Sequence, residues 1–574
     1  MKIVVVGGVA GGASAAARSR RLSEDAEIVV LERDKYVSFA NCGLPYHISG
    51  AIASREALLL QTPDSLRASL NLDVRTGHEV ASINCASRTV SVRIVATGET
   101  YQESYEKLVL CPGATPLRPD LPGVNGKRVY VLRNIPDMDA IKAVVDGGAN
   151  SAVVIGGGYI GVEMAEALRE RGLRVHLVEL VNQVMPPLDH EMARDLQYHL
   201  EAHGVELHLG KGAVGFQERG SLIRTLLNDD TTLDSDLVVL AAGVKPENKL
   251  AVSAGLEIGA HGGIKTNTHM QTSDPDIYAA GDSVEVTDTI TGEATLIPLA
   301  GPANRQGRIA AENIFGRATE YDSTQGTAIV KVFDMTGGGT GASEKALIRA
   351  DIPFNKIYIH PSGHAGYYPG TNPMHIKVVF DPAGGRIFGA QVVGFDGVDK
   401  RLDVFATAIR AGMTVYDLEN LELAYAPPYG SAKDPVNMAG FVASNLLRGD
   451  VRFWYAEDYP GKTGDATLVD VRSPKEFGEW SIPGAINIPL KELRGRLDEL
   501  NRSKPVLLFC RVGFRSYLAY RLLHQTGFVN LATLSGGSRT FTSYHRNITA
   551  TGKPGVPFLA HAEEKMADHA ETAG

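Results

Sequence analysis

A strand-like run, a glycine-rich turn, a helical pattern and a second strand closed by a glutamate occur twice in this chain, and no other feature constrains its fold as much. In the first copy residues 1–6 run into Gly7-Gly8-Val9-Ala10-Gly11-Gly12, and a strand pattern over 28–31 ends at Glu32, 20 positions after Gly12. In the second copy residues 152–155 lead into Gly156-Gly157-Gly158-Tyr159-Ile160-Gly161, a helical pattern follows, and a strand over 174–178 ends at Glu179, 18 positions after Gly161. Glycines in such a turn let the backbone approach a pyrophosphate placed at a helix N-terminus, and the glutamate meets an adenosine ribose. The first copy departs from G-x-G-x-x-G where Val9 replaces the middle glycine. Two copies imply two bound dinucleotides on doubly wound α/β sheets. Glu179 opposes a 2′-phosphate and residues 180–183 offer no arginine, so NADH is expected in preference to NADPH.

A chain of 574 residues holds roughly three to four domains at about 150 residues each. Its 44% hydrophobic and 21% charged residues describe a globular protein with ample core. The net charge of -9 gives no general attraction to nucleic acid or to an anionic membrane, so an anionic ligand must meet local positive charge. The apolar N-terminus is broken by the phosphate-loop glycines and followed by Arg18, Arg20 and Arg21, which reads as a first strand and helix rather than a signal peptide and points to the cytoplasm. No segment approaches the roughly 18 unbroken apolar residues of a membrane span. Four cysteines (Cys42, Cys85, Cys111, Cys510) form no disulfide framework, and without a C-x-x-C pair or a Cys/His cluster no metal site is expected.

Cys42 sits in Ser38-Phe39-Ala40-Asn41-Cys42-Gly43-Leu44-Pro45-Tyr46, just past the strand that ends at Glu32, where doubly wound folds hold ligands. It is the candidate redox nucleophile. The alternative is a small buried hydrophobe, the common state of free cysteine, against which the turn-forming Asn-Cys-Gly beside Leu-Pro argues.

Further segments complete a pattern: a strand into a tight turn at 105–116, echoed at 236–246; Asp276-Ile277-Tyr278-Ala279-Ala280-Gly281-Asp282; and Pro298-Leu299-Ala300-Gly301-Pro302-Ala303-Asn304-Arg305-Gln306-Gly307. Residues 1 to about 320 thereby resemble the pyridine nucleotide-disulfide oxidoreductases. The resemblance implies a discontinuous FAD-binding domain (1–112 and 250–320) with an inserted NAD(H)-binding domain (113–249). FAD contacts are implied at Gly7, Gly11, Gly12, Glu32, Gly113, Gly281, Asp282 and Ala300, and NADH contacts at Gly156, Gly158, Gly161 and Glu179. Cys111-Pro112-Gly113 departs from the family's Ala-Thr-Gly, and Cys111, like Cys85, is expected to be a small buried residue.

Cys42 has no second cysteine at Pro45-Tyr46-His47, so the chain resembles the single-cysteine branch: coenzyme A disulfide reductases, NADH-dependent persulfide reductases, NADH oxidases and NADH peroxidases. Oxidases and peroxidases of that branch carry a histidine where this chain has Ala10. Residues 321–448 resemble the family's α/β dimerisation domain, which implies a homodimer. In it Tyr367 and Tyr425 match tyrosines presented to the other subunit's cysteine; the alternative is a pair of interface aromatics. A coenzyme A site is implied at Ser14, Arg18, Arg21, Ser38, Asn41 and Lys433, and helical spacing puts Ser14, Arg18 and Arg21 on one face; the alternative is a solvated basic face.

A linker (449–464) precedes segments that resemble a rhodanese domain (465–556), and a polar tail (557–574) is expected to fray. Residues 505–509 deliver Cys510 into Arg511-Val512-Gly513-Phe514-Arg515-Ser516. Backbone N–H groups of such a loop form an anion nest, and with Arg511, Gly513, Arg515 and Ser516 they are expected to lower the thiol's pKa and stabilise a persulfide. Related phosphatases use the roomier C-x5-R. The expected function is an FAD-dependent NADH:persulfide or polysulfide reductase that uses coenzyme A persulfide and releases hydrosulfide. Competing readings are a coenzyme A disulfide reductase, an NADH oxidase, and a rhodanese domain that only docks a sulfur-donor protein.

Overall fold

Residues 3–6, 28–31 and 108–110 are runs of Val, Ile and Leu without polar alternation, the pattern of strands covered on both faces. They pair in a five-stranded parallel sheet of order Ile277–Ala279, Lys107–Leu110, Lys2–Val6, Glu27–Glu32, Asp73–Thr76. A second parallel sheet has the order Val205–Leu209, Arg174–Glu179, Ser151–Ile155, Leu237–Leu240, Val129–Val131. The first sheet therefore takes its last strand after the second has been completed. The computed structural model describes residues 1–545, so the expected tail and the last residues assigned to the rhodanese segment lie outside the described residues. The chain forms two units: residues 1–182 with 204–326, and residues 183–203 with those from 327 onward.

In the first unit the helix Ala10–Leu22 packs against Ala300–Ile314 at very close range. A Cβ on Gly307 would lie 2.0 Å from the Gly11 carbonyl oxygen. The small residues of Ala10-Gly11-Gly12-Ala13-Ser14 make that approach possible, and Gly307 completes it from the other side.

The second unit holds two five-stranded sheets. One is antiparallel, of order Ala328–Val332, Met335–Gly341, Ile387–Gly394, Met374–Phe380, Asn355–Ile359. The other is parallel, of order Phe453–Trp454, Leu531–Leu534, Val506–Phe509, Thr467–Asp470, Ile486–Asn487. The helix His190–Ala202 belongs to this unit, although its sequence neighbours lie in the other.

Charge explains that membership. Lys377, 1% exposed, holds Glu191 Oε1 at 2.6 Å, Glu344 Oε2 at 2.5 Å and Asp189 Oδ2 at 2.9 Å. Tyr358 donates its hydroxyl to Glu191 Oε1 at 2.8 Å. One turn along the helix, Asp195 meets His375 Nδ1 at 2.7 Å and accepts the Ser543 hydroxyl at 2.9 Å. Burial alone would push the Glu191 carboxyl up, but Lys377 and these hydrogen bonds outweigh it and hold the group at about 2.

Lys377→Met leaves the buried Asp189 and Glu191 without the cation that pairs them, while Glu344 keeps Lys356 at 2.7 Å, and is expected to cost about 3–5 kcal/mol, read as a lowered thermal midpoint. Because Glu191 titrates at about 2 when folded against an ordinary 4.5, its stabilisation is present above pH 4.5 and is lost as pH falls through 2. The deficit of the variant should narrow over that window; a deficit unchanged down to the acid limit would dissociate the cluster from stability.

Candidate active site

Each glycine-rich turn is shaped by backbone that approaches backbone. Gly7 has φ 92°, and a Cβ there would lie 2.1 Å from the Cys111 carbonyl oxygen; one on Gly12 would lie 1.8 Å from the Gly7 carbonyl oxygen. The helix that follows has no side-chain cap at Val9, which leaves its first amides for a ligand. Glu32 is fixed by the Gly8 amide at 2.8 Å and the Asp34 amide at 2.9 Å, and its burial raises its pKa.

The second turn repeats this. A Cβ on Gly161 would lie 1.8 Å from the Gly156 carbonyl oxygen, whereas nothing lies within 4 Å of one on Gly158. Glu179 accepts from the Gly157 amide at 2.6 Å and the Val181 amide at 2.9 Å. Uncapped helix starts and cradles that admit no Cβ fit two dinucleotides. Around the first, Gly113 and Gly281 have φ 73° and 89°, Ala300 opens its helix, and the Gly281 amide donates to Gln306 Oε1 at 2.8 Å. Burial raises the pKa of the neighbouring Asp282.

Cys42 is the middle residue of a single 3-10 turn, Asn41–Gly43, that leads into the helix Leu44–Ser49. Two hydrogen bonds fix the approach to it: the Ser38 amide donates to the Gly8 carbonyl and the Ala40 amide to the Leu58 carbonyl, both at 2.8 Å. Asn41 and Cys42 are exposed, so the core alternative for Cys42 fails. Cys85 and Cys111 are partly buried against the core of the first sheet, and burial pushes the Cys111 thiol up to about 12.

The thiol of Cys42 is raised by partial desolvation, then by Glu163 and Asp282. Sequence reasoning missed Glu163, although it lies two residues after Gly161 on the helix Tyr159–Glu170. Its carboxyl is pushed by burial to about 7 and accepts a long hydrogen bond from the Tyr46 hydroxyl at 3.4 Å. The chain's own charges near Cys42 thus oppose its thiolate.

The basic run after Ser14 divides into three different roles. Arg20 is 3% exposed and donates to the carbonyls of Ser23, Glu24, Ala26, Leu70 and Asn71, a structural role. Arg18 pairs with Glu312 at 2.5 Å, and Ser14 donates to Asn304 at 2.6 Å. Arg21 alone of the three arginines is exposed. Arg18 thus brings a charge that Glu312 already shares. Lys433 lies in the other unit, exposed, just before the helix Pro435–Leu447. In that unit Tyr367 (76% exposed) and Tyr425 (49%) join hydroxyl to hydroxyl at 2.9 Å.

Cys510 is 1% exposed, at the end of Val506–Phe509. The Gly513 amide donates to its Sγ at 3.2 Å, and the Ser516 hydroxyl lies 3.5 Å away while also accepting from Thr533 at 2.8 Å. Gly513, at φ 99°, turns the loop so that its amide faces the sulfur. Arg515 has two partners. Both of its terminal nitrogens bind Glu476, at 2.8 and 2.6 Å, while its charge also acts on Cys510. Burial opposes ionisation of Glu476, but Arg515 and Ser473 outweigh it and hold the carboxyl at about 2. Its signal was the capping box Ser473-Pro474-Lys475-Glu476. The loop is braced from behind, where the Ser538 amide donates to the Cys510 carbonyl at 2.8 Å and the Tyr358 amide to Ser535 at 3.0 Å.

Glu163→Gln is expected to move the pH profile of Cys42 alkylation to lower pH, with a rate near pH 7 raised about two- to fivefold. Mass spectrometry of the Cys42 peptide during iodoacetamide treatment reads this directly. An unchanged profile would show that Glu163 does not act on the thiol.

Residues 1–307 match the family described as pyridine nucleotide-disulphide oxidoreductase, residues 327–435 its dimerisation domain, and residues 456–543 the rhodanese-like domain. Two similar solved structures are the reduced CoADR-RHD of Bacillus anthracis and an NAD-dependent persulfide reductase from A. fulgidus. The first is 49% identical with a TM-score of 0.93 and covers 94% of this chain and 98% of its own. The second is 36% identical with a TM-score of 0.89 and covers 94% and 100%. A coenzyme A disulfide reductase of Staphylococcus haemolyticus is 36% identical over 447 residues, 78% of this chain and all of that protein. The chain belongs to the pyridine nucleotide-disulfide oxidoreductases, an FAD- and NADH-using family of flavin disulfide and persulfide reductases, and carries a rhodanese-like domain at its C-terminal end.

Proposed function

We propose that this enzyme reduces persulfides or polysulfides with NADH, with coenzyme A persulfide as substrate or carrier and hydrosulfide as product. The observation that carries the reading is the pairing of two thiols of opposite environment in one chain. Cys42 is exposed in a turn with no second cysteine, which favours a mixed disulfide with substrate over an internal one. Cys510 is buried under an amide and a hydroxyl, donors that suit a bound persulfide anion. FAD bound at the first turn supplies the two-electron relay from NADH.

Cys42 attacks the outer or inner sulfur of the substrate, and attack on the inner sulfur of a persulfide RSSH leaves a mixed disulfide between Cys42 and RS, with hydrosulfide as the leaving group. Two electrons and a proton then return the Cys42 thiolate and RSH, so that RSSH, NADH and a proton give RSH, hydrogen sulfide and NAD⁺. Tyr367 and Tyr425 of the partner subunit protonate the leaving sulfur in a cytoplasmic homodimer, a role their shared hydroxyl bond suits. Ser14, Arg18, Arg21, Ser38, Asn41 and Lys433 hold coenzyme A in this reading. Cys510 carries sulfane sulfur and passes it to Cys42 through that carrier. The domains are those expected above, an assignment that the composition of the four five-stranded sheets supports. No helix among the described residues is long and apolar enough to cross a membrane.

Reduction of coenzyme A disulfide is the second reading, favoured by the Staphylococcus haemolyticus relative. Anaerobic NADH oxidation with coenzyme A persulfide and coenzyme A disulfide as alternative acceptors separates the two. The expected result is a higher kcat/KM for the persulfide with hydrosulfide released, no turnover in Cys42→Ser, and impaired polysulfide turnover in Cys510→Ser. Preference for the disulfide, with Cys510→Ser unaffected, would overturn the persulfide reading.

A further inference from the structure

Thr533 is fully buried in the strand Leu531–Leu534, paired with Leu508 on one side and Phe453 on the other. Leu508 lies two residues before Cys510, so this pairing sets Thr533 in register with the strand that delivers the thiol. On the carrier role proposed for Cys510, we infer that Thr533 is a positioning residue for sulfur transfer: acting through Ser516, it directs that hydroxyl to Cys510 Sγ when the sulfur carries charge.

Ser516 is the third residue of the helix Phe514–Gln525 and is fully buried. Its hydroxyl oxygen has three polar neighbours: Thr533 Oγ1 at 2.8 Å, the Gly513 carbonyl oxygen at 3.0 Å and Cys510 Sγ at 3.5 Å. A hydroxyl has one hydrogen to give and lone pairs with which to accept. Thr533 donates to it, so the single Ser516 hydrogen is left to the other two neighbours. A serine inside a helix commonly gives that hydrogen to a carbonyl three or four residues back. Against a neutral thiol, a weak acceptor, the Gly513 carbonyl holds it. Against an anionic sulfur the balance reverses, because hydrogen bonds to a charged acceptor are roughly twice as strong. The Gly513 carbonyl gives little up, since it also accepts the Tyr517 amide at 3.0 Å.

The bond from Thr533 acts on this choice in two ways. It polarises the Ser516 O–H and so strengthens it as a donor. It also ties the hydroxyl to the sheet, where the Thr533 amide is itself fixed on the Arg452 carbonyl at 2.9 Å. The charge it serves arises in one step. A thiolate RS⁻ attacks the outer sulfur of the Cys510 persulfide; an S–S bond forms to R, the bond to Sγ breaks, and its electron pair stays on Sγ. RS⁻ and the Cys510 persulfide thus give RSSH and the Cys510 thiolate. That leaving sulfur meets the Gly513 amide at 3.2 Å and the Ser516 hydroxyl, and Thr533 strengthens the second of these donors.

The test uses the full-length, FAD-loaded enzyme carrying Cys42→Ser, so that loaded sulfur is not reduced. Cys510 is loaded with inorganic polysulfide, freed of excess, and discharged with cyanide, which takes the outer sulfur as thiocyanate. In parallel, mass spectrometry follows the rate of Cys510 alkylation by iodoacetamide from acid to alkaline pH. Thr533→Val is expected to slow the discharge about three- to tenfold, the worth of one hydrogen bond, and to slow alkylation near neutral pH while the alkaline plateau is kept. Thr533→Ser, which keeps the hydroxyl, should stay within about twofold of the parent in both readouts. Ser516→Ala should slow the discharge about tenfold, and adding Thr533→Val to it should slow the discharge no further, because the effect passes through Ser516. Thermal midpoints of the variants check the fold. Parent-like discharge and alkylation in Thr533→Val, Thr533→Ser as slow as Thr533→Val, or additive losses in the double variant would each overturn the inference. A parent whose Cys510 takes up no sulfur would sink the carrier role instead, and the alkylation profiles would still decide whether Thr533 acts on the sulfur.

Discussion

The constraint on which the redox site depends is the distance between backbone and backbone at the first phosphate turn. A Cβ on Gly12 would lie 1.8 Å from the Gly7 carbonyl and one on Gly7 2.1 Å from the Cys111 carbonyl, so the passage from strand to helix closes only with glycine at both positions. The consequence extends beyond the dinucleotide. The Gly8 carbonyl accepts the Ser38 amide, and Ser38, at φ 48°, redirects the chain into the turn that carries Cys42. The same turn that admits a pyrophosphate therefore registers the thiol. A wider turn would displace both.

The two reactive cysteines are built on opposite principles. Cys42 is exposed, and the nearby charges that act on it are carboxylates that favour its protonated form. Cys510 is buried, yet its sulfur faces an amide and a hydroxyl. An exposed thiol meets large substrates, whereas a buried one faced by hydrogen-bond donors admits only slender partners. The Glu476–Arg515 pair sharpens the contrast, since a loop whose arginine is already neutralised binds a dianion less well than the sequence of that loop suggests.

Most of the fold was legible because its signals are local. The central parallel strands announce themselves as unbroken Val, Ile and Leu runs, and the phosphate turns by glycine spacing, so the middle of each parallel sheet of the first unit follows from sequence, whereas the edge strands Asp73–Thr76, Val129–Val131 and Val205–Leu209 carry no such run. The positions of Cys42 and Cys510 at sheet ends were legible for the same reason. What stayed hidden was pairing at long range. Nothing in Arg18-Ser19-Arg20-Arg21 distinguishes the arginine buried among five carbonyls from the one paired to Glu312 or the one left in water. Glu163 reads as a helix-surface residue until the fold brings it to Tyr46. His199 reads as a helix-surface residue until the fold brings it to Asp334, 135 positions on, at 2.7 Å.

The helix His190–Ala202 shows how such long-range pairing decides architecture. Its sequence neighbours on both sides belong to the first unit, and hydrophobic pattern alone would let it pack with either. Glu191 and Asp195 settle the matter, four residues apart and on one face. Each is buried, so each needs a partner of opposite character at hydrogen-bond distance, and the strand Met374–Phe380 supplies them as Lys377 and His375. His375 and Lys377 are two apart and therefore share one face of that strand. A rotation of the helix by one residue, about 100°, would carry both acids away from both bases. Burying such pairs adds little net stability against a hydrophobic alternative of the same volume, but it admits only one register and one host. The end of the helix is thereby placed so that His199 and His203 meet the hairpin at Asp334, an arrangement set by charges buried one and two turns away.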